Sequence, residues 1–169
     1  MTKKILLGAA LLAATTSTAF AATETFQATI TGFSEPSISE SSPLNFGQIA
    51  LFASASCVMD SAGVVTGDCD AADSNIQIGE ITITGLAPSS AMNITVSGSS
   101  GSNVSFVSSS SATDGTTTVN FGDSTATGFT TDSSATDIAL NVFGTMTVDS
   151  ALTSGQAYTA DYTVEVVFQ

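Results

Sequence analysis

Beyond its first twenty-one residues the chain repeats one device: short runs of alternating apolar and polar side chains, set apart by Gly, Ser, Asp and Asn. Period-two alternation rich in β-branched and aromatic residues marks half-buried strands. "TFQATITG" puts Phe26, Ala28 and Ile30 on one face, and "PLNFGQIAL" brings Leu44, Phe46 and then Ile49. In "NIQIGEITITG" the parity changes from Ile76 and Ile78 to Ile81 and Ile83, which predicts a bulge or a change of face around Gly79. "AMNITVSG" aligns Met92, Ile94 and Val96; "NVSFVS" aligns Val104 and Phe106; "TTTVNFG" aligns Val119 and Phe121. "DIALNVFGTMTV" carries Ile138, Leu140 and Val142, breaks at Gly144, and resumes with Met146 and Val148. In the last run Tyr158, Ala160, Tyr162, Val164, Val166 and Phe168 share a face, and an aromatic stands one residue before the end. "SSSSATDGTTT" has no apolar period and is predicted to be an exposed hairpin loop. No long helical period appears. The pattern predicts an all-β sandwich of about seven to nine strands, with a closed barrel as the alternative, spanning residues 22–169 as one domain.

The first residues follow a different rule. Lys3 and Lys4 precede an apolar run from Ile5 to Ala14, and Ala19-Phe20-Ala21 supplies a small-x-small cleavage pattern. That is the form of a secretory signal peptide over residues 1–21, and the apolar run is too short to span a bilayer. The expected destination is the periplasm, the cell surface or an extracellular fibre.

Export changes the charge balance. Lys3 and Lys4 are the only basic residues, there is no His, and all 15 acidic residues lie beyond Ala21. A processed chain without cations cannot neutralise phosphates, so neither nucleic acid nor an anionic membrane surface is an expected partner. It has no His or Lys general base and no Arg to clamp an anion. A serine nucleophile would lack its base, and no Trp is present to line a carbohydrate cleft. The chain is therefore not expected to be an enzyme, and no cofactor is expected.

Cys57 and Cys69 are the only cysteines. In an oxidising compartment they are expected to pair, because the turn formers between them allow a short hairpin. Asp60, Asp68, Asp70 and Asp73 flank them as the densest acidic cluster. "DCDAAD" lacks the glycine and the terminal Glu of an EF-hand loop, so solvated loop acids are expected there rather than a calcium site.

Three stretches carry a resemblance: "LNFGQI", "EITITGLAPSSAMNITVSGS" and "GTMTVDSALTSGQAYTADYTVEVVF". Together they resemble the bacterial domain of unknown function 4402 family, which implies an exported immunoglobulin-like sandwich. The Cys57–Cys69 insertion departs from that pattern. The end of the chain also resembles chaperone–usher pilus subunits, with Phe168 penultimate and Gly155 lying 14 residues before Gln169. That resemblance implies an N-terminal strand-exchange donor over residues 22–33, presenting Phe26, Ala28 and Ile30. It also implies an acceptor edge that includes Tyr158, Tyr162, Val164, Val166 and Phe168, and partners that are other copies or a periplasmic assembly chaperone. The expected function is an exported fimbrial or pilus-like surface-fibre subunit built by β-strand complementation. The alternative is a stand-alone secreted or periplasmic β-sandwich that binds an unknown ligand.

Overall fold

A computed structural model describes Gln27 and residues 35–169. The signal segment over residues 1–21 and the donor row Phe26, Ala28 and Ile30 lie outside the described residues.

The described residues form ten strands in two antiparallel sheets, without a helix. The larger sheet holds β1 (Ser37–Ser42), β2 (Ser56–Met59), β3 (Val65–Gly67), β4 (Gly79–Thr84), β6 (Val104–Thr113), β7 (Thr118–Gly122) and β9 (Ile138–Val148). The smaller holds β5 (Ala91–Gly98), β8 (Thr127–Thr130) and β10 (Tyr162–Phe168), with β5 in the middle. β9 organises the larger sheet. One of its edges takes β4 from Ile138 to Val142 and then β2 from Gly144 to Thr147. The other takes β6 along almost its whole length. The predicted break at Gly144 is thus a change of partner within a continuous strand. Gly144 has φ +139, and a Cβ there would collide with the Val107 carbonyl oxygen.

Alternation places the core. Ile81 and Ile83, Met92, Ile94 and Val96, and Ile138, Leu140 and Val142 all point inward and are buried in one cluster. Burying each such side chain stabilises by roughly 1.5–3 kcal/mol relative to exposure. The parity change predicted near Gly79 is present. Ile76 and Ile78 pack against the cluster from outside the strand, and β4 begins at the buried Gly79.

Four expectations need correction. "SSSSATDGTTT" is mostly strand: β6 continues through Thr113, and the turn is confined to residues 114–117. Ser108 and Ser110 are buried, so small hydroxyl side chains occupy inward positions that give no hydrophobic signal. The described residues alone hold ten strands, because β3 and β8 are three and four residues long, too short to show a period. The stretch from Leu44 to Ile49 is extended but is no regular strand, holding only the isolated pairs Asn45–Gln77 and Ile49–Cys69. Gly47 interrupts it at φ +72, where a Cβ would press on Ile76 and Asp73. Finally, β10 starts at Tyr162, so Tyr158 does not belong to the terminal strand face. The Tyr158 hydroxyl instead accepts the Thr153 N–H at 2.9 Å, and its ring packs on a small second cluster around Ala55, Val104 and Val148.

Cys57 on β2 and Cys69 beyond β3 form a disulfide with a Cα–Cα distance of 5.3 Å. The hairpin between them closes with Cys57 opposite Gly67.

Candidate strand-acceptor groove

The smaller sheet ends at β10. Gln169 N–H donates to the Ala91 carbonyl at 3.0 Å, which fixes the hydrogen-bonded parity of the β10–β5 ladder. Bonded and non-bonded pairs alternate in an antiparallel ladder. Thr163, Glu165 and Val167 therefore turn their main-chain groups toward β5, while those of Tyr162, Val164 and Val166 face away. Among the described residues β10 pairs with β5 alone. Its inward row of Tyr162, Val164, Val166 and Phe168 packs on the core but is only half-buried.

The facing bank belongs to the larger sheet. β1 is an edge strand that pairs only with β4 among the described residues. Ile38 lies opposite Ile83 and Glu40 opposite Ile81, so both project toward the interior. Ile38 is nevertheless 44 % exposed, although it points at the core side. Further along, Asn45 and Gln77 exchange both main-chain hydrogen bonds at 2.8 Å. Leu44 and Phe46 consequently turn their main-chain groups away from Gln77, where none has a partner among the described residues.

Beyond the start of β10 lies a cleft of about 820 Å³, bounded by Tyr162 and by the stretch from Leu44 to Ile49. Phe46, Val104, Phe106 and Met146 line it, with Leu152 and Tyr158 on the second wall. None of its lining residues is charged, in a chain with 15 acids. Phe46 and Phe106 meet edge to face at 5.8 Å, and Phe106 meets Tyr162 the same way at 6.2 Å. Such contacts hold the aromatic floor in one arrangement.

One side-chain bond crosses the opening. The Tyr162 hydroxyl donates to Glu40 Oε1 at 3.0 Å, joining β10 to β1. Burial pushes the Tyr162 phenol well above its ordinary pKa, and the hydrogen bond to Glu40 and its negative charge push it further. Gly79 makes room for this hydroxyl: a Cβ there would sit 3.1 Å from it.

The acidic cluster around the cysteines has local duties. Asp60 Oδ1 accepts the amides of Ala62 and Val64, and Asp68 Oδ2 accepts that of Ser56. Asp70 Oδ1 accepts Ala72 N–H, and Asp73 Oδ1 accepts both the amide and the side chain of Asn75. The Asn75 amide holds the Asp73 carboxyl below its ordinary pKa. Among the described residues no three Asp, Glu, His or Cys side chains gather in a way that could hold a metal ion.

Asp123 escaped the sequence reading. Its Oδ1 accepts Gly98 N–H at 2.7 Å, Ser108 N–H at 3.1 Å and the Ser108 hydroxyl at 2.8 Å. It thereby ties the end of β5 to β6 across the two sheets. Burial raises its pKa, but the donors from Gly98, Ser108 and Ser124 outweigh that and hold it below the ordinary value. A lone "GD" beside a strand carries no signal of this role.

No family model, curated protein or solved structure matches the chain. Among the described residues no helix is long and apolar enough to cross a membrane.

Proposed function

We propose that this protein is an exported bacterial structural subunit of a fimbrial or pilus-like fibre, assembled by β-strand complementation. The observation that carries the reading is the groove itself. Among the described residues β1 and β10 are edge strands, joined by the Tyr162–Glu40 bond beside a half-covered core, with main-chain groups of Val164 and Val166 turned away from β5. A strand laid there completes the sheet edge through main-chain bonds and needs no cation. Left open, the same edge invites aggregation. The disulfide fits an oxidising compartment, and so supports export.

Strand directions favour a second copy as the donor. β10 runs from the Glu40 end of the groove toward the end where Gln169 bonds to Ala91, and β1 runs the opposite way. A segment folded back from the start of β1 in the same chain would lie parallel to β10. The segment 22–33 of another copy is free to lie antiparallel, the slightly more stable pairing.

A stand-alone binding module is the second reading, favoured by the uncharged 820 Å³ cleft, whose size suits a small ligand. Electron microscopy and sedimentation of the exported protein separate the two. Deleting residues 22–33 should leave folded, soluble monomers; polymers formed by the deletion variant would exclude donation by that segment.

A further inference from the structure

The outer face of the larger sheet has no part in the groove. Phe106, Ser108, Ser110 and Ala112 of β6 and Ile138, Leu140 and Val142 of β9 are buried, so their neighbours along each strand point outward. Every outward position of β6, β7 and β9 holds Ser, Thr, Asn, Ala, Val, Phe or Gly, in a chain with 15 acids. The carboxylates stand at the border. Glu80 of β4 lies opposite Asn141, Asp114 sits in the β6–β7 turn, Asp149 follows β9, and Asp60 follows β2. Within that border the register sets Thr145 of β9 between Val58 of β2 and Val107 of β6, and both valines are exposed, at 44 % and 55 %. The next outward row places Ser109 of β6 between Phe143 of β9 and Gly122 of β7. An open depression of about 500 Å³ lies over these three residues. Gly122 keeps it open: a Cβ there would meet nothing within 4 Å.

We infer that this patch pairs two copies of the chain face to face about a two-fold axis. The charge distribution selects a second copy. Two strongly acidic surfaces repel wherever their carboxylates meet, and this patch lets them touch without opposing any. A two-fold contact uses one patch twice, so ridge and hollow must lie side by side on the same surface. Here they do: Val107 and Ser109 are successive outward residues of β6, about 6.8 Å apart. An axis running across the strands between their rows lays Val107 of each copy over Ser109 and the depression of the other. β6 then crosses β6, in the aligned manner of packed sheets. Four strands, β2, β9, β6 and β7, at a spacing of about 4.8 Å and a length of roughly 30 Å, offer about 600 Å² per copy. The total of about 1,200 Å² lies at the small end of specific interfaces, so the pairing is weak and reversible. It needs neither residues 22–33 nor an open sheet edge.

The test uses the full chain, exported and processed. Copies carrying Val107→Cys are mixed with copies carrying Ser109→Cys and oxidised, and the joined peptides are counted by mass spectrometry. Each copy carries one added thiol, so a bridge between positions 107 and 109 forms only between copies, whether or not fibres are present. That bridge should be at least tenfold more frequent than one between Val107→Cys and Val167→Cys copies, Val167 being as exposed, at 51 %, but on the smaller sheet. Gly122→Leu fills the depression from a backbone conformation that any residue adopts. Added to both partners, it should cut the 107–109 bridge at least fivefold while β-sheet circular dichroism is kept. A 107–109 bridge no more frequent than the Val167 control overturns the pairing, as does a yield unmoved by Gly122→Leu in folded protein. Either result leaves strand complementation untouched.

Discussion

β5 and β10 are neighbours in one ladder, with the same alternation and the same inward direction, yet they are buried very differently. On β5, Met92, Ile94 and Val96 are 0 %, 1 % and 0 % exposed. On β10, Tyr162, Val164 and Val166 are half-buried. The difference is one of partners. β5 has β10 on one edge and β8 on the other, whereas β10 has a described neighbour on one edge only. Side-chain pattern decides which way a residue points; burial also needs a strand on each side. The contrast therefore reflects the number of described neighbouring strands rather than a weak core.

Substitutions can break that contrast, beginning with the most severe. Ile94→Ala should cost about 3 kcal/mol of unfolding free energy, measured by urea denaturation, because the site is sealed on both sides. Asp123→Ala should cost about 2 kcal/mol, since it strands the Gly98 and Ser108 amides, while the Ser108 hydroxyl keeps the Val96 carbonyl. The same carboxylate predicts acid sensitivity. Its folded pKa is depressed, so its contribution is complete above the unfolded Asp value of about 3.9 and is lost as pH falls through the lower folded value. The melting temperature of wild type should drop in that window, and Asp123→Asn should flatten the drop. Tyr162 acts at the other extreme. Its folded pKa is raised, so its contribution is complete below about 10 and fades as pH climbs toward the folded value. Val166→Ala should cost only about 1 kcal/mol in the monomer, because the side chain is half-wet, and about twice that in the fibre once the groove is filled. Val167→Thr, on the outer face of the same strand, should stay within about 0.5 kcal/mol in either state. An equal loss for Val166→Ala in both states would mean that nothing docks beside it.

Much of this was legible in the sequence. The rows Met92–Ile94–Val96 and Ile138–Leu140–Val142 could be read directly, because alternation reports side-chain direction. So could the row from Tyr162 to Phe168. The stretch Ser108–Ser110 was not, since its inward residues are hydroxyls rather than apolar groups, the Ser108 hydroxyl donating to the Val96 carbonyl of the opposite sheet. Tyr158 kept the period of the last strand but sits before it, held by the Thr153 amide; a period cannot reveal a main-chain bond. The Glu40–Tyr162 bond was out of reach as well, because the two residues are 122 residues apart and only the closing of the sandwich brings them together.

Hydrogen exchange along β10, followed residue by residue, tests the account most directly. In monomers lacking residues 22–33, the Thr163, Glu165 and Val167 amides, turned to β5, should exchange slowly, and those of Val164 and Val166 should exchange fast. In assembled wild type all five should be slow. Val164 and Val166 amides already protected in those monomers, or still fast in the assembly, would contradict the claim that this edge receives a strand.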